Sequence, residues 1–431
     1  MKNNKNILIW RRLDNSAKIF PLSSDKRYST VFRLSVVLKD DIKQEILEKA
    51  VIEALKKYES FKVKLKNGFF WHYLEMNNQN PIIEEEHEYP CKYIDPKESN
   101  GYLFKVTYFK NKINIDIFHA LTDGNSGTVL FREIVYTYLE MCYPKDIDKD
   151  KRISKKIGYT TEDSYIKNYD KKSKPNSSSK KAYKLKGRNI NLNGVSVIHQ
   201  NINLTQLKEE AKKANATITQ YLTAVLIYAI YKGNYEKSRS RKPIKVCIPV
   251  NLKKYFPSET LSNFFSYINL SANLKDEKIE TFEDVISFVK EEFDKQLKEK
   301  EVLKTMSNNV KLGNNFFIKL IPLYLKILIV RLAYIEIRKY STITFSNIGR
   351  IGILGNYQKY IDYFMMMIAP DSFERIKCSS CTFENNIVFT FTSVINNNNI
   401  EKEFYEFLIE KGIEVKIESN GVLDDISSEI K

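Results

Sequence analysis

Histidine and cysteine are scarce in this chain of 431 residues, which contains four histidines and five cysteines. The histidines, His72, His87, His119 and His199, are too widely spread along the sequence to indicate a histidine-rich metal site. The single C-x-x-C motif, Cys378 to Cys381, has neither a second pair nor a histidine near it in the sequence. We therefore expect ordinary strand or loop cysteines and no metal ion, with zinc or redox chemistry as the alternative.

Several other signatures are also missing. The sequence has no glycine-rich loop that would cradle a phosphate, and no serine or cysteine stands in a motif typical of covalent catalysis. The N-terminal stretch is too short and too polar for a signal peptide. Together with the odd number of cysteines, this predicts reduced thiols and a cytoplasmic location.

A long uncharged apolar run is lacking as well. The most apolar stretch, Phe316 to Ile337, contains Lys319, Lys326 and Arg331, and charges near the centre of a bilayer are costly. The stretch therefore predicts no transmembrane segment but a buried or half-buried helix. A peripheral helix at a membrane interface is the alternative.

Charge of one sign is in excess, because 69 lysines and arginines against 53 acidic residues give a net charge of +16. Such a surplus favours polyanionic partners, including phosphate-bearing cofactors and acidic proteins. No single dense basic block carries it, so much of it is background composition. Nucleic-acid binding is not expected, since no recognised motif accompanies the charge.

The length exceeds what one compact core usually supports, so two domains are expected. A strand followed by a helix occurs at 30–58 and again at 195–231, which suggests two related halves. We predict an N-terminal subdomain over 1–145, a polar linker over 146–185 rich in lysine, serine and aspartate, and a C-terminal subdomain over 186–431. Strands mixed with packed helices predict an α+β fold.

Apolar periodicity predicts the individual elements. The predicted strands are Thr30–Leu38, Phe61–Leu65, Phe69–Leu74, Tyr102–Phe109, Ile113–Phe118, Val195–Ile202, Lys245–Val250, Tyr267–Ala272, Thr342–Phe345 and Ile387–Ile395. The predicted helices are Ile42–Tyr58, Thr128–Cys142, Thr205–Tyr231, Thr281–Lys298, Phe316–Ile337 and Glu401–Lys411.

One short segment carries candidate chemistry. The strand that ends at Phe118 is followed by His119, then by Asp123 and Gly124 just before a helix. A histidine with a pKa of about 6.5 is neutral near pH 7 and can act as a general base on a hydroxyl or an amine. Gly124 is expected to permit a tight turn. The alternative is that His119 and Asp123 only satisfy a turn.

The H-x-x-x-D-G pattern resembles the superfamily that includes chloramphenicol acetyltransferase, the condensation domains of peptide synthetases and the bacterial alcohol acetyltransferases, the last group most of all. The resemblance spans roughly residues 10 to 395, as collinear motifs, which chance explains less readily than one motif. The segments that carry it are Leu13–Leu22, Phe32–Ser35, Phe118–Gly124, Ile248–Leu252, Tyr255–Ser258, Asn263–Phe265, Tyr340–Ser341 and Phe345–Gly349.

The resemblance implies two similar chloramphenicol acetyltransferase-like subdomains with the active-site tunnel between them. It implies that His119 is the general base and that no acyl-enzyme forms. Asp123 is implied to hold the histidine loop through an ion pair with an arginine. Arg33, inside an apolar strand, is our candidate for that structural ion pair, and Arg11 and Arg12 are the alternatives.

Further site residues are implied by their match to the superfamily. Ser346 and Asn347 are expected to line the site and to supply a donor for a developing oxyanion, and Asn263 and Gly124 to contact substrate. The sequence departs from the pattern at Ser262, where glycine is common, and at Lys253, where arginine is common. Met365 to Met367 are expected either in an acyl channel or in the core.

The leading functional hypothesis is an acyltransferase that moves an acyl group from an acyl-coenzyme A thioester to a small-molecule alcohol or amine. A close variant takes the acyl group from an acidic acyl carrier protein, because both donors present the same phosphopantetheine arm. A non-catalytic binding module that retains the fold is the rival hypothesis. The sequence leaves the acceptor, the acyl length and the oligomeric state open.

Overall fold

The computed structural model of the protein describes residues 10–26, 28–147, 160–173, 180–190, 194–277 and 279–422. The segment predicted as a linker, 146–185, lies in part outside the described residues, at 148–159 and 174–179. The described chain forms three β-sheets with helices packed against them, which confirms the predicted α+β class.

The described chain contains both strands and helices, with the five strands in 63–118 and the three strands in 361–393 following one another directly. The strands are β1 (Trp10–Arg12), β2 (Val31–Leu38), β3 (Val63–Asn67), β4 (His72–Met76), β5 (Ile83–Glu85), β6 (Phe104–Phe109), β7 (Lys112–Phe118), β8 (Ser196–Asn203), β9 (Ile244–Asn251), β10 (Phe265–Ala272), β11 (Ile343–Arg350), β12 (Ile361–Ile368), β13 (Ile376–Phe383), β14 (Asn386–Ser393) and β15 (Val415–Ser419). The helices are α1 (Ile19–Ser23), α2 (Gln44–Lys57), α3 (Gly124–Cys142), α4 (Ser164–Asn168), α5 (Leu204–Lys213), α6 (Ile218–Ile230), α7 (Phe282–Gln296), α8 (Glu299–Asn314), α9 (Phe316–Leu320), α10 (Leu323–Ile337), α11 (Gly355–Gln358) and α12 (Asn399–Glu410).

The first large sheet has five strands in the order β12-β2-β7-β6-β5. Its apolar side chains form one hydrophobic core with α2 and α3. Strand β12 contains Met365 to Met367, comes from the second half of the chain and was not predicted from the sequence. All three methionines are buried there, and β12 pairs antiparallel with β2. The second half of the chain therefore completes the sheet of the first half.

The second large sheet has seven strands in the order β10-β9-β11-β13-β14-β8-β15. The strands β9, β11 and β13 run parallel to one another, and the outer pairings are antiparallel. A separate hydrophobic core joins this sheet to α5, α6, α7 and α12. A small third sheet, β1-β4-β3, lies beside the first. Two sheets with separate helix-covered cores confirm the predicted architecture of two subdomains.

Two predicted helices are each divided in two. The predicted helix Thr205–Tyr231 is interrupted before α6 by Asn215, whose φ of 48° ends α5. The predicted helix Phe316–Ile337 is interrupted at Pro322, which lacks the amide hydrogen that a continuous helix needs. The prediction that this stretch is buried or half-buried was wrong, since most of its large apolar side chains are exposed. No helix in the described ranges is both long and apolar enough to cross a membrane.

Arg33 does form a buried ion pair, but the prediction that Asp123 is its partner was wrong. Arg33 on β2 lies directly across from Asp116 on β7. Its Nε and Nη2 atoms donate to Asp116 Oδ1 and Oδ2 at 2.9 and 2.5 Å. Its Nη1 atom donates to Glu86. The pair therefore fixes the register of two central strands rather than the histidine loop.

We expect Arg33→Met to lower the free energy of unfolding by about 3–5 kcal/mol, because the substitution leaves the buried carboxylate of Asp116 without its partner. Arg350→Met is the matched control, since Arg350 pairs with Glu384 across an exposed surface and such pairs contribute at most about 1 kcal/mol. Urea unfolding of both variants measures the difference. Equal stability losses in the two variants would contradict this role of Arg33.

Candidate active site

A cavity of about 860 Å³ lies between the two large sheets. Its wall includes Phe32 of β2 and Met366 of β12 from one sheet, and residues of β9, β10 and β11 from the other. Five of the residues predicted from the sequence line it: His119, Asp123, Gly124, Ser346 and Asn347. The cavity therefore brings together predicted residues that are more than 200 positions apart in the chain.

The cavity has two ends, which the directions of the strands define. Because β11 and β13 are parallel, their first residues meet at one end, where Thr344 and Lys377 line the wall. The last residues of β11 and β9 lie at the opposite end, which is lined by Gly349, Asn251 and the exposed Lys254. The cavity therefore extends along the strand direction between these two ends.

His119 follows β7 directly and is half-buried, because one side of its ring faces the cavity. Three aromatic rings surround it. Phe20 of α1 stacks on the imidazole with a centroid distance of 4.6 Å, and Phe32 and Phe265 contact it at 5.3 and 5.2 Å. This burial lowers the pKa of His119 below its usual value, although Asp123 and Asn263 act in the opposite direction. The imidazole is therefore neutral at physiological pH.

Asn263 fixes which nitrogen of His119 carries the proton. Its side-chain amide donates to Asp14 Oδ2 at 3.1 Å and to the carbonyl oxygen of His119 at 3.0 Å. Both partners are pure acceptors, so the orientation of the amide is determined and Oδ1 faces His119 Nδ1 at 2.9 Å. Nδ1 must then donate the hydrogen, and Nε2 retains a lone pair. A neutral histidine with this tautomer can accept a proton at Nε2.

Asn263 itself is fully buried and lies behind His119, outside the cavity wall. The expectation that it contacts substrate therefore has no support in the geometry, and its contacts are those of a positioning residue. Asp14, which holds it, also accepts from the Asn263 backbone amide and from that of Ala17. Burial raises the pKa of Asp14 to about 6, although these hydrogen bonds lower it.

Asp123 joins the histidine loop to the second half of the chain. Its Oδ1 accepts from the backbone amide of Ser126 at 2.8 Å and caps α3, as an aspartate at this position commonly does. Its Oδ2 accepts from the amide of Phe264 at 2.9 Å, just before β10. A cation near it is Lys253, whose pKa is lowered by burial and raised by Asp123. Lys253 donates to Ser126 Oγ at 3.0 Å.

The two predicted donors on β11, Ser346 and Asn347, differ in how the protein holds their side chains. Asn347 donates to Thr219 Oγ1 at 3.0 Å and accepts from the amide of Gly349 at 2.8 Å. Gly349 has a φ of 77°, which glycine adopts without strain. The Asn347 side chain is thus held by the protein, and Ser346 on the same wall is the better candidate for a hydroxyl donor to substrate.

Gly124 is required for space rather than for a turn. Its φ is not positive, which corrects the expectation from the sequence. A Cβ atom at this position would lie 3.2 Å from Ile348 Cγ2 and 3.5 Å from Met366 Cε. Glycine therefore lets the start of α3 lie close to the cavity wall formed by β11 and β12.

Asp14 and Phe20 contribute to the site but were not predicted as site residues. Both lie in the N-terminal segment Leu13–Leu22 that carried part of the resemblance, so that match was the available signal. Their contacts with Asn263 and His119 join residues separated by 249 and by about 100 positions, which no local pattern reveals. Within the described part of the chain, no group of histidine, cysteine and carboxylate side chains could hold a metal ion.

We expect ¹⁵N NMR of the histidine rings to show His119 as the tautomer protonated at Nδ1, because Asn263 Oδ1 can only accept. With four histidines in the chain, the spectrum of His119→Ala identifies the signal. Asn263→Ala should shift the population toward the tautomer protonated at Nε2. A wild-type ring protonated at Nε2 at neutral pH would refute the arrangement.

Comparison with known proteins places the chain in a wider context. Residues 143–351 match the alcohol acetyltransferase family. No curated protein sequence matches the chain. Among solved structures, Fusarium graminearum TRI101 in complex with coenzyme A and deoxynivalenol is similar with a TM-score of 0.63 at 10% identity, over 94% of this chain and 99% of that chain. Polyketide synthase associated protein 5 from Mycobacterium tuberculosis gives 0.58 at 11% identity, over 92% and 96%.

The epimerization domain from the third module of tyrocidine synthetase B is also similar, with a TM-score of 0.52 at 10% identity over 89% of this chain and 91% of that domain. At such identities the structural matches establish the fold. The family match and these folds confirm the recognition made from the motifs. Residues 143–351 are thus similar to the alcohol acetyltransferase family, and the chain shares the fold of TRI101 and of the epimerization domain.

Proposed function

We propose that the protein is an acyltransferase that moves an acyl group from a coenzyme A thioester to an alcohol or an amine, with His119 as the general base. The observation that carries this proposal is a neutral histidine of fixed tautomer on the wall of a cavity between two subdomains. The match of residues 143–351 to the alcohol acetyltransferase family supports acyl transfer as the reaction class and an alcohol as the acceptor.

The proposed reaction needs no covalent intermediate on the protein. His119 Nε2 takes the proton of the acceptor hydroxyl or amine as its oxygen or nitrogen bonds to the thioester carbonyl carbon. The carbonyl oxygen becomes an oxyanion, to which the hydroxyl of Ser346 donates a hydrogen bond. When the oxyanion collapses, the carbon–sulfur bond breaks, and the proton on Nε2 passes to the departing thiolate.

The other site residues have supporting roles in this proposal. Asp123 is not a proton carrier, since both of its oxygens accept from backbone amides. It holds the loop that carries His119. Asn263 positions the imidazole, and Asn347 and Gly124 shape the wall next to the reacting groups.

Coenzyme A is the proposed donor, and it acts as a substrate. The cavity is large enough for the pantetheine arm, and the exposed Lys254 and Lys298 on its wall offer cations to the phosphates. TRI101 has been crystallised in the same fold with coenzyme A. An acyl carrier protein is the alternative donor, supported by the similarity to a domain of a peptide synthetase, because a carrier presents the same arm.

Incubation with acetyl-coenzyme A and longer acyl-coenzyme A donors, together with a panel of alcohols and amines, should release free thiol only when an acceptor is present. His119→Ala should reduce this release by about 10²–10⁴-fold, the usual contribution of a general base. Thiol release measured with a chromogenic reagent, and product mass measured by mass spectrometry, test both statements.

Control variants separate chemistry from folding in this experiment. His199→Ala removes a histidine that lies outside the cavity wall and should leave the rate unchanged. No release from coenzyme A donors, followed by release from a loaded carrier protein, would assign the donor to the carrier. Failure with both donors would favour a binding module that retains the fold.

The pH dependence of kcat/KM should show an acid limb below that expected for a general-base histidine of ordinary pKa. Acidification protonates His119, whose pKa lies below 6.5 because of burial, and Asp14, whose pKa is about 6. Both events remove groups that the reaction needs in their deprotonated form. The rate should therefore hold from neutral pH down to about pH 6 and fall below it. An acid limb at pH 7 or above would contradict this assignment.

A cytoplasmic location and the absence of a nucleic-acid partner remain proposals that rest on the sequence. All five cysteines are free thiols in the structure, and burial raises the pKa of Cys378 and Cys381. Free thiols of raised pKa support the proposal that these cysteines stay reduced and take no part in the reaction.

A further inference from the structure

The helix α10 has its polar and apolar sides reversed relative to an ordinary surface helix. Lys326, Tyr334 and Arg338, the residue directly after α10, are spaced at multiples of four residues and so lie on one side. Tyr324, Leu328 and Leu332 form the opposite stripe at the same spacing. Lys326 is only 1% exposed, whereas Leu328 and Leu332 are 58% and 62% exposed. A helix that faced water would place these residues the other way round.

The polar side of α10 is bound to the body of the protein. Lys326 donates to the carbonyl oxygen of Phe70 at 2.8 Å, and its ammonium lies 3.5 Å from the centre of the Trp71 ring. Arg338 pairs with Asp371 at 3.3 Å. The amide of Leu323 donates to the carbonyl oxygen of Phe69 at 2.9 Å. Because these contacts hold the helix in this orientation, its outer apolar stripe is a fixed feature of the fold.

The exposed apolar surface continues beyond α10. Phe316 and Phe317 on α9 and Tyr324 on α10 are 67%, 77% and 71% exposed. These three side chains alone expose roughly 400 Å², taking about 200 Å² for a whole aromatic side chain. Their summed area is comparable with the largest apolar patch of an average monomer, about 300–600 Å². Leu328, Leu332 and Phe69 extend it, and we name this surface of α9, α10 and Phe69 the outer apolar face.

The charges around the outer apolar face are mainly basic at one end. Lys18 lies 5.8 Å from the centre of the Trp71 ring, next to Lys326. Arg12 and Lys319 are exposed and close enough to Lys18 to act on it electrostatically. Asp163 and the buried Asp14 are the carboxylates that act on Lys18 in the opposite direction. A cationic rim beside a broad apolar surface matches anionic headgroups next to acyl chains.

We propose that the outer apolar face docks the protein on the surface of an anionic lipid bilayer, with the aromatic and leucine side chains among the acyl chains and Arg12, Lys18 and Lys319 among the headgroups. A second copy of the chain fits this surface less well, because each copy carries a net charge of +16 and like charges repel. The proposal does not depend on the reaction assigned to the cavity.

Docking in this orientation sets one end of the cavity against the bilayer. Tyr334 on the inner side of α10 and Arg338 directly after the helix line the cavity at the end where β11 and β13 begin. The helix α1, which packs against α10, carries the Phe20 ring that stacks on His119. If acyl transfer takes place in this cavity, a substrate held in the lipid phase enters it beside α10.

Flotation of the full chain with vesicles tests the proposal without reference to activity. The wild type should float with phosphatidylcholine vesicles that contain phosphatidylglycerol, and severalfold less with phosphatidylcholine alone or in high salt. Leu328→Ser/Leu332→Ser should weaken the partition by roughly tenfold or more, since two apolar anchors are lost. Lys18→Gln/Lys319→Gln should remove most of the preference for phosphatidylglycerol.

Ile409→Ser/Ile417→Ser is the matched control, because these isoleucines are also partly exposed but lie on α12 and β15. It should float as the wild type does, and circular dichroism should show that all variants are folded. Failure of the wild type to float with any vesicle would overturn the proposal, as would wild-type flotation of Leu328→Ser/Leu332→Ser. If the wild type does not float but forms a dimer or a complex with a carrier protein, and Leu328→Ser/Leu332→Ser abolishes that complex, another partner covers the outer apolar face. This result would also overturn the proposal.

Discussion

The candidate site depends on the way in which four residues from the second half of the chain, Leu261 to Phe264, hold the loop from His119 to Asp123. Thr122 Oγ1 donates to the carbonyl oxygen of Leu261 at 2.6 Å. Asn263 contacts both the ring and the carbonyl oxygen of His119, and the amide of Phe264 donates to Asp123. Each polar residue of the loop, His119, Thr122 and Asp123, is thus hydrogen-bonded to the second half of the chain. Within its own half of the chain the loop is held by the His119 amide, which donates to the carbonyl oxygen of Thr30, and by Asp123, which accepts from the Ser126 amide. Both halves of the chain therefore contribute to the geometry of the histidine.

Burial of His119 at this contact between the two halves of the chain explains why its imidazole is neutral. The aromatic rings around the imidazole exclude water from all sides but the cavity, which disfavours the charged form. Asp14 accepts a hydrogen bond from the Asn263 amide and so keeps it in one orientation. The Asn263 side chain lies between the Asp14 carboxylate and the imidazole. A carboxylate in direct contact with Nδ1 would instead favour the protonated ring. The Asn263 amide therefore orients the imidazole and keeps the Asp14 carboxylate out of direct contact with it.

The sequence predicted the parts of the fold that depend on local periodicity and missed those that depend on register. The strand that leads to His119 and the helix after Asp123 were predicted from alternation and spacing, and the cavity brings Ser346 and Asn347 to the same wall. Arg33 was assigned the wrong partner because only the pairing of β2 with β7 reveals that Asp116 lies across from it. The strand β12 was missed because its apolar residues give no alternation when both faces are covered.

The stretch Phe316–Ile337 shows why an apolar run does not by itself predict burial. Hydrophobicity predicts which surface avoids water, but what covers that surface is a separate matter, and here Lys326 and Arg338 occupy the inner positions. Their polar groups are bound by the protein, at the carbonyl oxygen of Phe70 and at Asp371. The leucines are consequently turned outward. Since Arg338 is also a wall residue of the cavity, the ion pair that holds this end of the outer apolar face in place also shapes the wall of the candidate site.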